Sequence, residues 1–273
     1  MPAVEPDQDG FVVVEKAFKY KATDRKKKGR GKRNEKNKHV FKDYDDWTID
    51  DIKSTLTQRK ETLIESRFYK ELSDIFDEHL VPTGPHDIIC YGIGSMQKSK
   101  NAQYQFELAL LIRELLKIPG KMYIYDPVMT DLDKKVCNEQ EIEIIEENEE
   151  GKRVVTKPTL FYMPHCGRGL YSNTLSVNWN QENLQNITLI GNRFDMYVGS
   201  QLDRDLKREC PYLIPAVEII ETISFPKEFD NNQIFNDLSI QKFINTKMSA
   251  KDKKFWDPIP ISTPKSDSDT IQE

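Results

Sequence analysis

The sequence predicts an α/β protein built on a mostly parallel sheet with helices on both faces, and three observations predict it. Short apolar runs such as IICY (88–91), TLFYM (159–163) and ITLIG (187–191) alternate with helix-length amphipathic stretches. Strands separated by helices of that length pair in parallel and are covered on both sides. Each run also ends on a polar or glycine-rich turn: Gly92-Ile93-Gly94-Ser95, Asp126-Pro127, Pro164-His165-Cys166-Gly167 and Gly191-Asn192-Arg193. Finally, 273 residues with 37% hydrophobic and 10% aromatic side chains are enough to bury a real core. With right-handed crossovers the sheet becomes Rossmann-like.

Taken in order, the elements begin with a helical lead-in. Trp47, Ile49, Ile52 and Leu56 share a stripe behind a cap at Asp46 or Thr48, and Leu63, Phe68, Leu72, Ile75, Phe76 and Leu80 recur at intervals of three and four. Pro82, Gly84 and Pro85 end that pattern. After the IICY strand, a helix from about Ser99 to Lys117 carries Ala102, Phe106, Ala109, Ile112 and Leu116 on one side. A second strand, MYIYDPV (122–128), ends in an acid, and DLDKKVCN reads as a weak helix. Residues 142–155 read as a strand, a polar turn near Asn148–Gly151 and a returning strand. After the strands at 159–166 and 186–192 the signal weakens, and 212–226 reads as one more strand or helix at the sheet edge.

The boundaries that follow are a disordered basic arm at 1–43, the helical lead-in at 44–84, the α/β domain at 85–246 and a Pro/Ser/Thr/Asp-rich disordered tail at 247–273. Residues 25–38 hold nine Lys/Arg against Glu35, a local charge of +8, which leaves −13 for the rest of a chain whose net charge is −5. That run reads as a nuclear import signal or a solvated arm. Nucleic-acid binding is disfavoured because few aromatics interleave with the charges to stack on bases. No run approaches the roughly 18–20 apolar residues of a membrane span, and the acidic N-terminus lacks a signal-peptide pattern. No membrane association is therefore expected, and the location is read as cytoplasmic, nuclear or both. Four scattered cysteines without a Cys-x-x-Cys pair point to reduced thiols rather than a disulfide frame or a zinc site. Thr263-Pro264 fits a proline-directed phosphosite.

In an open α/β sheet, ligands bind beyond the carboxyl ends of the strands. The expected ligand-binding residues are therefore those at the four turns: Gly92, Gly94, Ser95, Asp126, His165, Cys166 and Asn192. Glycines let a phosphate or ribose approach the backbone, and a following helix N-terminus favours negative charge. The dinucleotide pattern G-x-G-x-x-G is broken by Gln97, and the G-x-G-x-G of methyl-transfer domains by Met96. Adjacent His165 and Cys166 invite a nucleophile–base or metal reading, but neighbours in sequence rarely aim at one atom. No catalytic residue and no metal ligand is assigned. Cys210-Pro211, like His165 and Cys166, is also a pattern through which haem is sensed.

Five blocks, 88–115, 122–136, 147–155, 158–179 and 186–194, together resemble the Sensitivity to Red Light Reduced (SRR-like) domain family over about residues 85–200. The resemblance implies a regulator of biological rhythms, of the circadian-clock-input type, with a further link to regulation of haem biosynthesis. It supplies no catalytic set, no cofactor and no named protein partner. Beside it stands a second expectation: an enzyme of methyltransferase-like fold using S-adenosylmethionine or a nucleotide, with the Gly-x-Gly turn and Asp126 holding a small nucleotide-like ligand.

Overall fold

A computed structural model describes residues 44–81, 84–200, 202–229 and 234–260. The basic run at 25–38 and Thr263-Pro264 lie outside the described residues. Seven strands form one sheet: β1 (Asp87–Tyr91), β2 (Met122–Tyr125), β3 (Glu143–Ile144), β4 (Thr159–Met163), β5 (Ile187–Asn192), β6 (Ile220–Ser224) and β7 (Leu238–Phe243). Their order is β3-β2-β1-β4-β5-β7-β6. The first five run in parallel, while β7 is antiparallel to both β5 and β6. The fold is thus α/β and Rossmann-like, with a reversed strand near one edge. The return from β6 lets β7 insert between β5 and β6.

β1 and β4 are buried along their whole lengths, as central parallel strands are when both faces are covered. Alternate side chains divide between two cores. Ile88, Cys90, Leu160, Tyr162 and Ile190 face one; Ile89, Tyr91, Phe161, Met163 and Leu189 face the other.

The first core is covered by α1 (Ile49–Glu65), α2 (Arg67–His79), α3 (Lys100–Leu115) and α4 (Asp131–Glu139). α3 is buried without a break from Ala102 to Ile112, because α1 and α2 pack outside it. A helix sandwiched in this way buries even its polar positions, here Gln103, Gln105 and Glu107. Thr48, not Asp46, caps α1, and Asp51 closes a capping box; Thr130 and Asp133 do the same for α4. The lead-in therefore shares a core with the sheet.

The second core lies under α5 (Arg168–Ser176), α6 (Gln181–Leu184), α7 (Phe194–Ser200), α8 (Asp203–Glu209), α9 (Leu213–Ile219) and α10 (Asn245–Ser249). Two expectations are corrected on this side. The returning strand near 155 does not form: after β3 the chain runs to β4 without a second strand. That segment is pinned instead by Asn178, which accepts from the Val155 amide at 3.0 Å and donates to Arg153 O at 2.9 Å. Residues 247–260, expected in the disordered tail, are ordered. Phe255 and Trp256 pack on Trp179 with ring centroids at 5.5 and 5.8 Å, and Trp179 Nε1 donates to Phe255 O. Aromatics in a Pro-rich segment supplied the burial that composition hid.

Candidate functional site

The topological switch point lies beside β1, whose neighbours β2 and β4 are reached by separate crossovers. There the sequence-selected residues meet. Gly92 and Gly94 have φ of +72° and +84°, a region that side chains enter only with strain. The Gly94 amide donates to Asp126 Oδ2 at 2.8 Å, and Val128 N donates to Asp126 Oδ1 at 2.9 Å. A carboxylate of this chain thus occupies an amide that a bound anion would need. At Gly92, a Cβ would stand 2.5 Å from Cys166 Sγ. The thiol fills the space beside the first glycine, and its S–H donates to Tyr91 O at 3.3 Å.

His165 follows β4 with φ of +53°, an uncommon conformation for a residue with a side chain. Its amide donates to Asn192 Oδ1 at 3.1 Å, which ties the β4 end to the β5 end. Its Nε2 lies 3.0 Å from Ile234 O. A carbonyl only accepts, so Nε2 carries the hydrogen and, in the neutral ring, Nδ1 is the acceptor. Asn192 is spent in the same way: Nδ2 donates to Tyr197 Oη at 2.8 Å, and its amide donates to Tyr171 Oη at 3.0 Å. Six of the seven candidates fall into two groups along one edge: Gly94 bonded to Asp126 with Cys166 packed beside Gly92, and His165 bonded to Asn192. Ser95 is the exception. Its Oγ is buried and takes no hydrogen bond among the described residues.

The electrostatics argue against an activated nucleophile. Burial first, and then the charge of Asp126, pushes the Cys166 thiol up to about 12. Burial also raises the Cys210 thiol. Cys90 and Cys137 are buried too. The haem-sensing pattern at Cys166 and Cys210 would need thiolates that these surroundings disfavour. Among the described residues, no group of three or more His, Cys, Asp or Glu side chains is placed to hold a metal, and no helix is long and apolar enough to cross a membrane.

Sequence reasoning missed Tyr171, Gln105 and Ile234. Tyr171 Oη donates to Met163 O at 2.5 Å and accepts from Asn192, so it joins β4 to β5. Gln105 Nε2 donates to the same Ile234 carbonyl that His165 holds. A backbone acceptor leaves no mark in sequence. Three cavities, of about 340, 240 and 290 Å3, lie away from the corner and include none of the seven candidates. The 240 Å3 cavity shares the carboxyl edge, between Arg193, Met196 and Asn236.

An SRR1-like protein of Mus musculus is 37% identical over 127 residues, 46% of this chain and 51% of that protein. Protein SENSITIVITY TO RED LIGHT REDUCED 1 of Arabidopsis thaliana is 32% identical over 147 residues, 53% of each. An SRR1-like protein of Drosophila melanogaster is 29% identical over 170 residues, 62% of this chain and 59% of that protein. The chain spans about half the length of these curated relatives. Among solved structures, the S-adenosylhomocysteine-bound methyltransferase PaMTH1 of Podospora anserina covers 69% of this chain and 87% of its own at 12% identity, with a TM-score of 0.40. Human N-acetylserotonin methyltransferase with S-adenosylmethionine covers 71% and 58% at 12% identity, with a TM-score of 0.34. Likenesses that distant carry no argument about function. The SRR1 domain profile matches residues 70–242, well over half of the chain, and the chain belongs to the SRR1 domain family.

Proposed function

We propose that this chain is a regulatory protein of the light- and clock-input type, acting through protein partners and binding a small ligand at its glycine corner. The observation that carries the regulatory reading is the 32% identity to a protein named for reduced sensitivity to red light. The corner's chemistry supports it. A thiol held up at about 12 is no nucleophile at neutral pH, and Asn192 is spent on backbone and side-chain partners. A link to haem biosynthesis then runs through partners rather than through thiolate ligation, and residues 25–38 serve nuclear entry.

Each Asp126 oxygen accepts one amide and keeps a lone pair for a ligand hydroxyl, while its negative charge repels a phosphate. The corner suits a phosphate-free ligand, a nucleoside or a cation such as S-adenosylmethionine, better than NAD. Deleting the gene and following clock transcripts, rhythm and haem level tests the regulatory half. All three unchanged would sink it. Thermal shift with adenosine and S-adenosylmethionine, against the Asp126→Ala variant, tests the ligand half. A ligand at 100 times its Kd stabilises by about 2.7 kcal/mol. No shift with either, or a shift indifferent to Asp126, removes the corner as a site.

A further inference from the structure

The N-termini of α2 and α3 meet across a cavity of about 290 Å3, lined by Ser66, Arg67 and Phe68 of one helix, Lys100 and Tyr104 of the other, and Phe229. Neither helix has an acid in its first turn, whereas the acids of α1 and α4 close capping boxes. Ser66 and Ser99 hydroxyls cap one amide at each start, and with no acid beside them both N-termini keep a partial positive charge. Tyr104 is 4% exposed, and its hydroxyl takes no hydrogen bond among the described residues. Its ring is held by the Arg59 guanidinium at 5.0 Å, the Lys100 ammonium at 5.7 Å and the edge of Phe229 at 5.1 Å. Arg67 spends Nε on Glu71 at 2.6 Å, and its side chain is otherwise exposed. A tyrosine hydroxyl with no partner among the described residues, a guanidinium and two helix N-termini around one small cavity are the parts that hold a phosphoryl group.

We propose that this elbow binds a small organic phosphate, independently of the glycine corner. The phosphate takes the Tyr104 hydroxyl and the Arg67 guanidinium, and the organic body lies against Phe229. The cavity is at the lower end of small-molecule sites, so the ligand is no larger than a nucleoside monophosphate. Glu228, the acid in the lining, opposes the charge from the rim. The test is titration calorimetry on the full chain with inorganic phosphate and AMP, using adenosine and chloride at matched ionic strength as controls. Saturable binding of phosphate and AMP is expected. It should weaken about tenfold or more in Arg67→Glu, several-fold in Tyr104→Phe, tighten in Glu228→Gln and stay unchanged in Asp126→Asn. Arg67 is a surface residue, so its variant folds, and an unchanged Tm checks that. No saturable binding, or binding that survives Arg67→Glu, overturns the proposal. Sensitivity to Asp126 instead of Arg67 also overturns it, by moving the phosphate to the corner.

Discussion

The glycine corner and the α2–α3 elbow are both places where turns and helix starts leave backbone amides to satisfy, yet they handle charge in opposite ways. At the corner the chain supplies its own anion: Asp126 takes the Gly94 and Val128 amides, and Cys166 fills the space beside Gly92. At the elbow no first-turn acid does this, and Arg67 and Lys100 add positive charge. The nearby buried acid on α3, Glu107, takes no hydrogen bond among the described residues. Burial pushes it up to about 7 against the pull of Lys60, with Glu114 adding to the rise. A sequence pattern that looks like a phosphate cradle can therefore be a closed one, while an open one arises where no motif exists.

The largest expected effect comes from breaking the corner. Gly92→Ala forces a side chain into left-handed backbone and against the Cys166 sulfur, and should cost about 3 kcal/mol in denaturant unfolding. Adding Cys166→Ala should return part of that loss. A double variant no better than the single would mean that the thiol is not what fills the space.

Next in size is Glu107→Gln. A carboxyl whose folded pKa of about 7 exceeds its ordinary value of 4.5 favours folding fully below pH 4.5, and that contribution disappears as pH rises through 7. The glutamine variant should therefore match the parent near pH 4 and exceed it by about 2 kcal/mol above pH 7, after allowance for burying an amide. Equal stability at pH 8 would show that Glu107 has found a donor.

How far the sequence reaches is clear from these same residues. Gly92, Gly94, Asp126, His165 and Asn192 were legible because each ends an apolar run, and parallel strands deliver such ends to one edge. That Asp126 and Cys166 would fill the corner was not legible, because those contacts join residues tens of positions apart. β7 was missed because the pattern after Asn192 lacks clear periodicity and the strand runs against its neighbours. The elbow gathers residues near 67, 100 and 229, and no local pattern brings these together.

Smaller effects sharpen the contrast. Asp126→Asn loses one charge-assisted amide contact and should cost about 1–2 kcal/mol by thermal or chemical unfolding. A neutral result would mean that the corner does not depend on its internal anion. Tyr104→Phe should leave stability within about 0.5 kcal/mol, because the hydroxyl it removes has no partner among the described residues. A loss above 1 kcal/mol would reveal a hidden partner and weaken the case for a ligand there.

The contrast is tested most directly by following backbone amides of the isotope-labelled full chain by NMR during a titration with inorganic phosphate. Saturable shifts at Arg67, Phe68, Lys100 and Asn101, with the Gly94 amide unmoved, are the predicted result. Movement of Gly94 with the α2 and α3 starts silent would contradict the account, since the anion would then have displaced Asp126 from the corner.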